Sequence, residues 1–240
     1  MKAFLLAAGH GTRLRPFTDS VPKCLLPIQG VPMLEIWLAL CRSHRVSDVL
    51  VNTHAHAPAV LEFVRRWKNG VRVSVVEERE LFGSAGTLRQ NRHWVESEES
   101  FWIFYADVLT NADLGRMLKF HQSKSAATLG VYTVPDPQRC GIVTLDEANT
   151  VVQFVEKPAS PQSNVAFAGI MIGTPELLDA IPDKAGADIA ADVLPRLTGN
   201  MRAYPIPEFI LDIGTPENYE FAQKTWPGLQ RTNLQQVSRP

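Results

Sequence analysis

The sequence predicts an α/β protein: three layers, α/β/α, around a mixed and mostly parallel sheet. Three observations carry that prediction. Short apolar runs alternate with segments whose apolar residues recur at helical spacing. The alternation is tight over residues 1–76, where strand, helix, strand, helix and strand follow at short intervals. And the first run, Ala3 to Ala8, breaks into a glycine-bearing loop, the kind of feature that lies beyond the C-terminal end of a parallel strand.

Taken in order, Ala3–Ala8 reads as a buried strand and Pro32–Arg42 as a helix with proline in its first turn. Asp48–Asn52 is a strand, Pro58–Trp67 a helix and Val71–Val76 a valine-rich strand. Phe101–Asp107 (FWIFYAD) is an apolar strand ending in a carboxylate, and Asp113 reads as the cap of a helix over Leu114–His121. Further strands are expected at Ala126–Val134, Val151–Val155, Asn164–Ile172 and Met201–Ile206. Asp188–Leu197 reads as an amphipathic helix with Asp188 as cap, and Trp226–Pro240 as a polar tail. The expected organisation is one domain over residues 1–225, with halves at about 1–125 and 126–225, followed by that tail.

Composition narrows the function classes. The 240 residues carry 24 Lys and Arg against 25 Asp and Glu, a net charge of −1. No broad basic surface points to nucleic acid or membrane as a partner. Cys24, Cys41 and Cys140 are scattered without a CxxC pair, which argues for a reducing compartment and against structural zinc. No apolar run approaches the roughly 18 residues of a membrane span, and the opening run is too short for a secretory signal. A cytoplasmic protein is expected.

The chemistry is concentrated in the opening stretch. Gly9 and Gly11 let backbone N–H groups approach a ligand closely. Arg13, Arg15 and Lys23 stand beside them, so the loop suits a polyanion, most naturally a triphosphate. It is neither a P-loop nor a dinucleotide fingerprint, because GxxxxGK[ST] spacing is missing and Leu14 stands where a third glycine would be.

LAAGHGTRLRPFTDSVPKCLLP resembles the strand-loop signature of the sugar-1-phosphate nucleotidylyltransferases. Four later motifs are similar to that family's in the same order: Phe82-Gly83-Ser84-Ala85-Gly86, the Ala106-Asp107 pair, Phe154-Val155-Glu156-Lys157-Pro158, and Asp212-Ile213-Gly214-Thr215-Pro216. Phe82, Ser84 and Ala106 depart from the family's usual residues. The resemblance implies a Rossmann-like, glycosyltransferase-A-like nucleotidyltransferase fold. It also implies transfer of a nucleotidyl group from a nucleoside triphosphate to a sugar 1-phosphate, with release of pyrophosphate. Arg13, Lys23 and Asp107 would be catalytic. Leu6, Ala8, Gly9, Gly11, Thr12, Arg13, Ser84, Gly86 and Thr87 would bind the nucleotide. Gly141, Glu156, Lys157 and Asn164 would bind the sugar phosphate. Asp107 and Asp212 would hold Mg²⁺.

The GSAG loop and the missing EGLAQ sequence make the chain look closest to members that use GTP and mannose 1-phosphate. Uridylyl, cytidylyl or thymidylyl transfer to another hexose, heptose or amino-sugar 1-phosphate stays open. So does a non-catalytic regulator that binds nucleotide sugars. Relatives are often dimers or tetramers, so a homo-oligomer is an expectation. No hexapeptide repeat, and hence no appended left-handed β-helix, is expected.

Overall fold

The computed structural model describes residues 1–121 and 124–229. Its first strand, β1 (Lys2–Leu6), buries Ala3, Phe4 and Leu5 completely. A glycine loop and two 3₁₀ turns, Thr12–Leu14 and Lys23–Leu25, lead to a short hairpin of β2 (Pro27–Ile28) and β3 (Val31–Pro32). Then come α1 (Met33–Ser43), β4 (Asp48–Thr53), α2 (Ala57–Arg66) and β5 (Arg72–Glu77). Helix α1 buries Met33, Leu34, Ile36, Trp37, Leu38, Leu40 and Cys41. A helix of 11 residues is marginal alone in water. Each buried leucine contributes roughly 2 kcal/mol, so packing rather than propensity holds it.

The chain continues through α3 (Ser84–Gln90), β6 (Phe101–Tyr105), β7 (Val108–Thr110), α4 (Leu114–Phe120), β8 (Ala127–Thr133), β9 (Gly141–Leu145) and β10 (Val151–Glu156). It ends with β11 (Val165–Gly173), α5 (Pro175–Asp179), β12 (Met201–Pro205), β13 (Ile210–Asp212) and α6 (Pro216–Thr225).

These elements form two compact units that interleave along the chain. The first takes Met1–Arg79, Tyr105–Leu114 and the segment from Glu208 onward; the second takes Glu80–Phe104 and Gly115–Pro207. A boundary near residue 125 therefore has no single counterpart.

In the first unit β1, β4 and β5 run parallel, with Leu6 opposite Asn52 and Thr53 opposite Glu77. That is the pattern expected from sequence. β13 pairs antiparallel with β7, setting Asp212 opposite Val108.

The second unit departs from it. There β11 pairs antiparallel with β6, β8 and β9, and β10 antiparallel with β9; only β12 runs parallel to β8. The sheet is mixed, and the mostly parallel expectation holds only for the first unit. β11 changes register between Phe167 and Met171, where Gly169 takes a φ of 69°. One type of bulge places a residue in that left-handed conformation, which glycine adopts without strain.

Two further expectations are corrected. Residues 188–197 form a π-helical turn, Ile189–Val193, followed by a 3₁₀ turn, Leu194–Leu197, not an amphipathic α-helix. Asp192 accepts a hydrogen bond from the Asp188 N–H, and Pro195 lacks the N–H that an α-helix would use. Asp188 is the cap that was expected, its Oδ1 accepting from the Ala191 N–H.

The tail does not begin at Trp226. Trp226 is buried against Phe209, their ring centroids 5.4 Å apart, and its carbonyl accepts from Gln29 Nε2. The Gly228 carbonyl accepts from Asn111 Nδ2. Residues 230–240 lie outside the described residues.

Within the second unit, Gly83 and Gly186 separate two reasons for glycine. Both have positive φ, but a Cβ on Gly83 would collide with the backbone of Ala187 and Gly186, whereas one on Gly186 would meet open space. Gly186→Ala is expected to cost about 1 kcal/mol from backbone strain alone, and Gly83→Ala about 3 kcal/mol or more once overpacking is added. Urea midpoints of the two variants test this; equal losses would refute the steric account.

Candidate active site

The cleft in the first unit is built by the residues that follow β1. The Ala7 N–H donates to Asn52 Oδ1 at 2.7 Å, fixing the exit of the strand on its neighbour β4. Gly11 has a φ of 66°, and its carbonyl accepts from buried Thr18 Oγ1 at 2.8 Å and from the Leu14 N–H at 2.9 Å. A side chain on Gly11 would press on Thr18, while one on Gly9 would meet nothing. The loop is thus clasped from behind and bare toward the ligand side. It opens on a cleft of about 310 Å³, lined by Leu6, Gly9, Gly11, Thr12, Arg13, Lys23 and Asp107 among others. Ala8 is buried and does not line it.

Charged groups from distant segments meet at this cleft. The turn after β6 presents Asp107, and Lys23 Nζ lies 2.6 Å from its Oδ2. The Lys23 side chain is only 11% exposed, so this ion pair answers for most of its lost hydration. The Ile213 N–H donates to the Asp107 carbonyl at 3.0 Å, tying the end of β13 to the same turn. Gly214 marks the point of convergence. A Cβ there would lie 2.7 Å from Asp212 Oδ1, 3.1 Å from Arg13 Nη2 and 3.2 Å from Lys23 Nζ. A side chain there would displace the ends of these three charged side chains.

Asp212 as a residue is exposed, yet its carboxyl is hemmed in at this point. Removal from water, and then the like charge of Asp107, raise its pKa above the usual carboxylate value. Lys23, the Gly214 N–H and Arg13 pull the other way. Two crowded carboxylates of this kind are suited to a hard divalent cation. Among the described residues no group of three or more His, Cys, Asp and Glu converges.

The other expected site residues lie in the second unit. Ser84, Gly86 and Thr87 open α3. The Thr87 hydroxyl and N–H both donate to the Gly83 carbonyl, and Thr87 is fully buried. The Ser84 hydroxyl donates to Asp188 Oδ2 at 2.8 Å and accepts from the Ile189 N–H at 2.7 Å.

At the β9–β10 pair, Gly141 sits opposite Glu156, where a Cβ would come within 2.9 Å of Glu156 Oε2. Lys157 has a φ of 47°; its N–H donates to the Cys140 carbonyl, and its Nζ lies 2.9 Å from Glu156 Oε1. Asn164 is exposed just before β11, with its carbonyl accepting from the Val134 N–H. Gly141, Glu156 and Lys157 therefore meet.

Sequence reasoning gave no role to several residues that shape the cleft. His10 lines it, its ring centroid 5.1 Å from that of His54, whose Nδ1 is 2.7 Å from the Glu78 carbonyl. Buried Asn52 also donates to Glu78 Oε1 at 2.8 Å. A polar residue ending an apolar strand was the one signal for Asn52; nothing local marks Thr18.

Comparisons with known proteins bear on the family and the fold. The chain is 35% identical over 226 residues to a "Putative mannose-1-phosphate guanyltransferase" of Sulfolobus acidocaldarius, covering 91% of this chain and 61% of that protein. It is 32% identical over 224 residues to the mannose-1-phosphate guanylyltransferase of Mycobacterium tuberculosis, covering 90% and 62%. The chain thus spans about three fifths of the length of these relatives. A crystal structure of a "Putative Glucose-1-Phosphate Thymidylyltransferase" from Bacillus anthracis superposes with a TM-score of 0.84, over 93% of this chain and 94% of that one. At 23% identity it bears on the fold alone. The nucleotidyl transferase family model matches residues 2–226, and with the glycine loop and its charged partners in place, the chain belongs to that family.

Proposed function

We propose that this protein transfers a nucleotidyl group from a nucleoside triphosphate to a sugar 1-phosphate, with GTP and mannose 1-phosphate as its pair and GDP-mannose and pyrophosphate as products. The observation that carries the reaction is the meeting of Arg13, Lys23, Asp107 and Asp212 around Gly214 beside a bare glycine loop. The choice of pair is supported by the names of the two relatives given above. Among the described residues no helix is long and apolar enough to cross a membrane, and the phosphorylated substrates suit a cytoplasmic setting.

A phosphate oxygen of the sugar 1-phosphate attacks the α-phosphorus, and the bond from that phosphorus to the leaving pyrophosphate breaks. The sugar phosphate is already largely dianionic near pH 7, so no general base is required. The demand is for positioning and for neutralising charge. Arg13 holds the β- and γ-phosphates as a planar fork. Lys23 offsets charge growing at the α-phosphate, and its link to Asp107 fixes where its ammonium stands. Lys157, a flexible point charge, holds the sugar phosphate, and Glu156 accepts from a sugar hydroxyl. Asp107 and Asp212 are the groups that would hold Mg²⁺, which when bound neutralises phosphate charge and orients the attacking oxygen. Two carboxylates leave room for water and substrate oxygens, as that ion prefers.

Pyrophosphate release across five triphosphates and a panel of sugar 1-phosphates, with Mg²⁺ and with chelator, should give one strong, metal-dependent combination containing GTP and mannose 1-phosphate. Activity with another pair would replace the substrates and keep the reaction. A blank grid alongside calorimetric binding of nucleotide sugars would favour a regulator instead. Lys23→Ala should lower kcat by about 10²- to 10³-fold, whereas Lys157→Ala should mainly raise the KM for the sugar phosphate. Uniform losses against both substrates would contradict these roles.

Asp212 also predicts a stability effect. A carboxyl whose pKa is raised on folding binds its proton more tightly in the native state. The native state therefore loses stability as pH rises above the unfolded carboxylate range, and regains it as pH falls back. Asp212→Asn should accordingly stabilise the metal-free protein at pH 7 more than at pH 4, and should abolish any rise in melting temperature on adding Mg²⁺. A metal-free variant less stable than wild type at pH 7 would refute the charge account.

A further inference from the structure

The start of α3 is held by a segment about a hundred residues later in the chain. The Ala85 and Gly86 N–H groups both donate to the Ala187 carbonyl, at 3.0 and 3.2 Å. The Ser84 hydroxyl spends its proton on Asp188 Oδ2 and accepts from the Ile189 N–H. Asp188 is itself fixed at three points. Its Oδ1 caps the Ala191 N–H at 2.9 Å, its N–H donates to Asp192 Oδ2 at 2.9 Å, and its Oδ2 takes Ser84. Asp192 is in turn paired with Lys184 at 2.7 Å. The turn that carries these bonds is π-helical, a rare geometry that recurs at functional sites.

A hydroxyl committed to Asp188 and Ile189 is not the free polar contact to a nucleotide that the resemblance assigned to Ser84. The geometry points to Asp188 as a positioning residue: through Ser84 it sets the direction in which the backbone of residues 84–87 faces the nucleotide. This rests on the nucleotide-binding reading of that loop. Removing one link of the strut loosens the loop without touching the charged groups that act on the phosphates. The expected signature is weaker binding of the triphosphate, with chemistry and sugar-phosphate affinity largely kept. Because the two side chains act as one strut, losing both should cost little more than losing either.

The test uses the full chain as wild type, Ser84→Ala, Asp188→Asn and the double variant. Asp188→Asn keeps an oxygen to cap Ala191 and replaces only the acceptor for Ser84, so it separates the strut from the cap and protects against simple misfolding. GTP affinity is titrated by calorimetry, and kcat and both KM values are read by pyrophosphate release. Each single variant should weaken GTP binding and raise its KM about tenfold. The double variant should match the singles, with urea midpoints close to wild type. Unchanged GTP affinity would overturn the proposal. So would losses that multiply in the double variant, or equal rises in both KM values. If wild type binds GTP but releases no pyrophosphate with any pair, the reaction falls and the affinity pattern still decides the strut. If wild type binds another of the five triphosphates instead of GTP, the same titrations are made with that one; if it binds none of them, the proposal falls.

Discussion

The candidate site depends on one convergence of charge: the Asp212 carboxyl is withdrawn from water beside Asp107, and that desolvation first, then the like charge, raises its pKa. Like charges so placed are tolerated only where opposite charge answers them, and Lys23 and Arg13 supply it. The backbone is arranged to serve this meeting. β13 pairs with β7 so that Asp212 stands opposite Val108, one residue beyond Asp107. The Ile213 N–H closes the turn onto the Asp107 carbonyl, and the ends of three charged side chains stand where a Cβ on Gly214 would be. Without ligand the cluster holds competing charges.

The first unit was legible in the sequence because its rules are local. Alternating apolar runs and helical spacing predict β1, α1, β4, α2 and β5, and the structure places them within a residue or two of expectation. The strand before Asp107 was read correctly as apolar, but it stops at Tyr105, leaving Asp107 in a turn. The second unit was harder. Buried strands such as β8 and β11 are apolar along nearly their whole length, so no alternation distinguishes parallel from antiparallel pairing.

The misread segments share a cause. Residues 188–197 carry helical spacing, but their geometry is set by Ser84, Asp192 and Lys184, which compete for the backbone of the turn. Trp226 read as the start of a polar tail because its partners, Phe209 and Gln29, come from elsewhere in the chain. In both places long-range contacts outweighed local preference, and no inspection of a short window could have found them. Asn52 and Thr18 are the same case at the site itself. Each supports the glycine loop through a bond to a residue it does not adjoin.

The division of the charged and the shape-fitting residues has a chemical consequence. The groups proposed to act on phosphate, Arg13, Lys23, Asp107 and Asp212, all belong to the first unit, where Lys23 pairs with Asp107 and the ends of Arg13, Lys23 and Asp212 crowd Gly214. Except for Lys157 and Glu156, the expected binding residues of the second unit contribute backbone and glycine rather than charge. Ser84 and Gly86 present main chain held by Ala187 and Asp188, and Gly141 makes room for Glu156. Phosphate charge is common to every triphosphate, so a fixed charged cluster can serve any base. Discrimination between bases and sugars rests on shape and on the direction of backbone donors, which small changes in supporting side chains can redirect. A chain built this way can keep its reaction while its substrates change, and the residues that decide the substrates need not touch them.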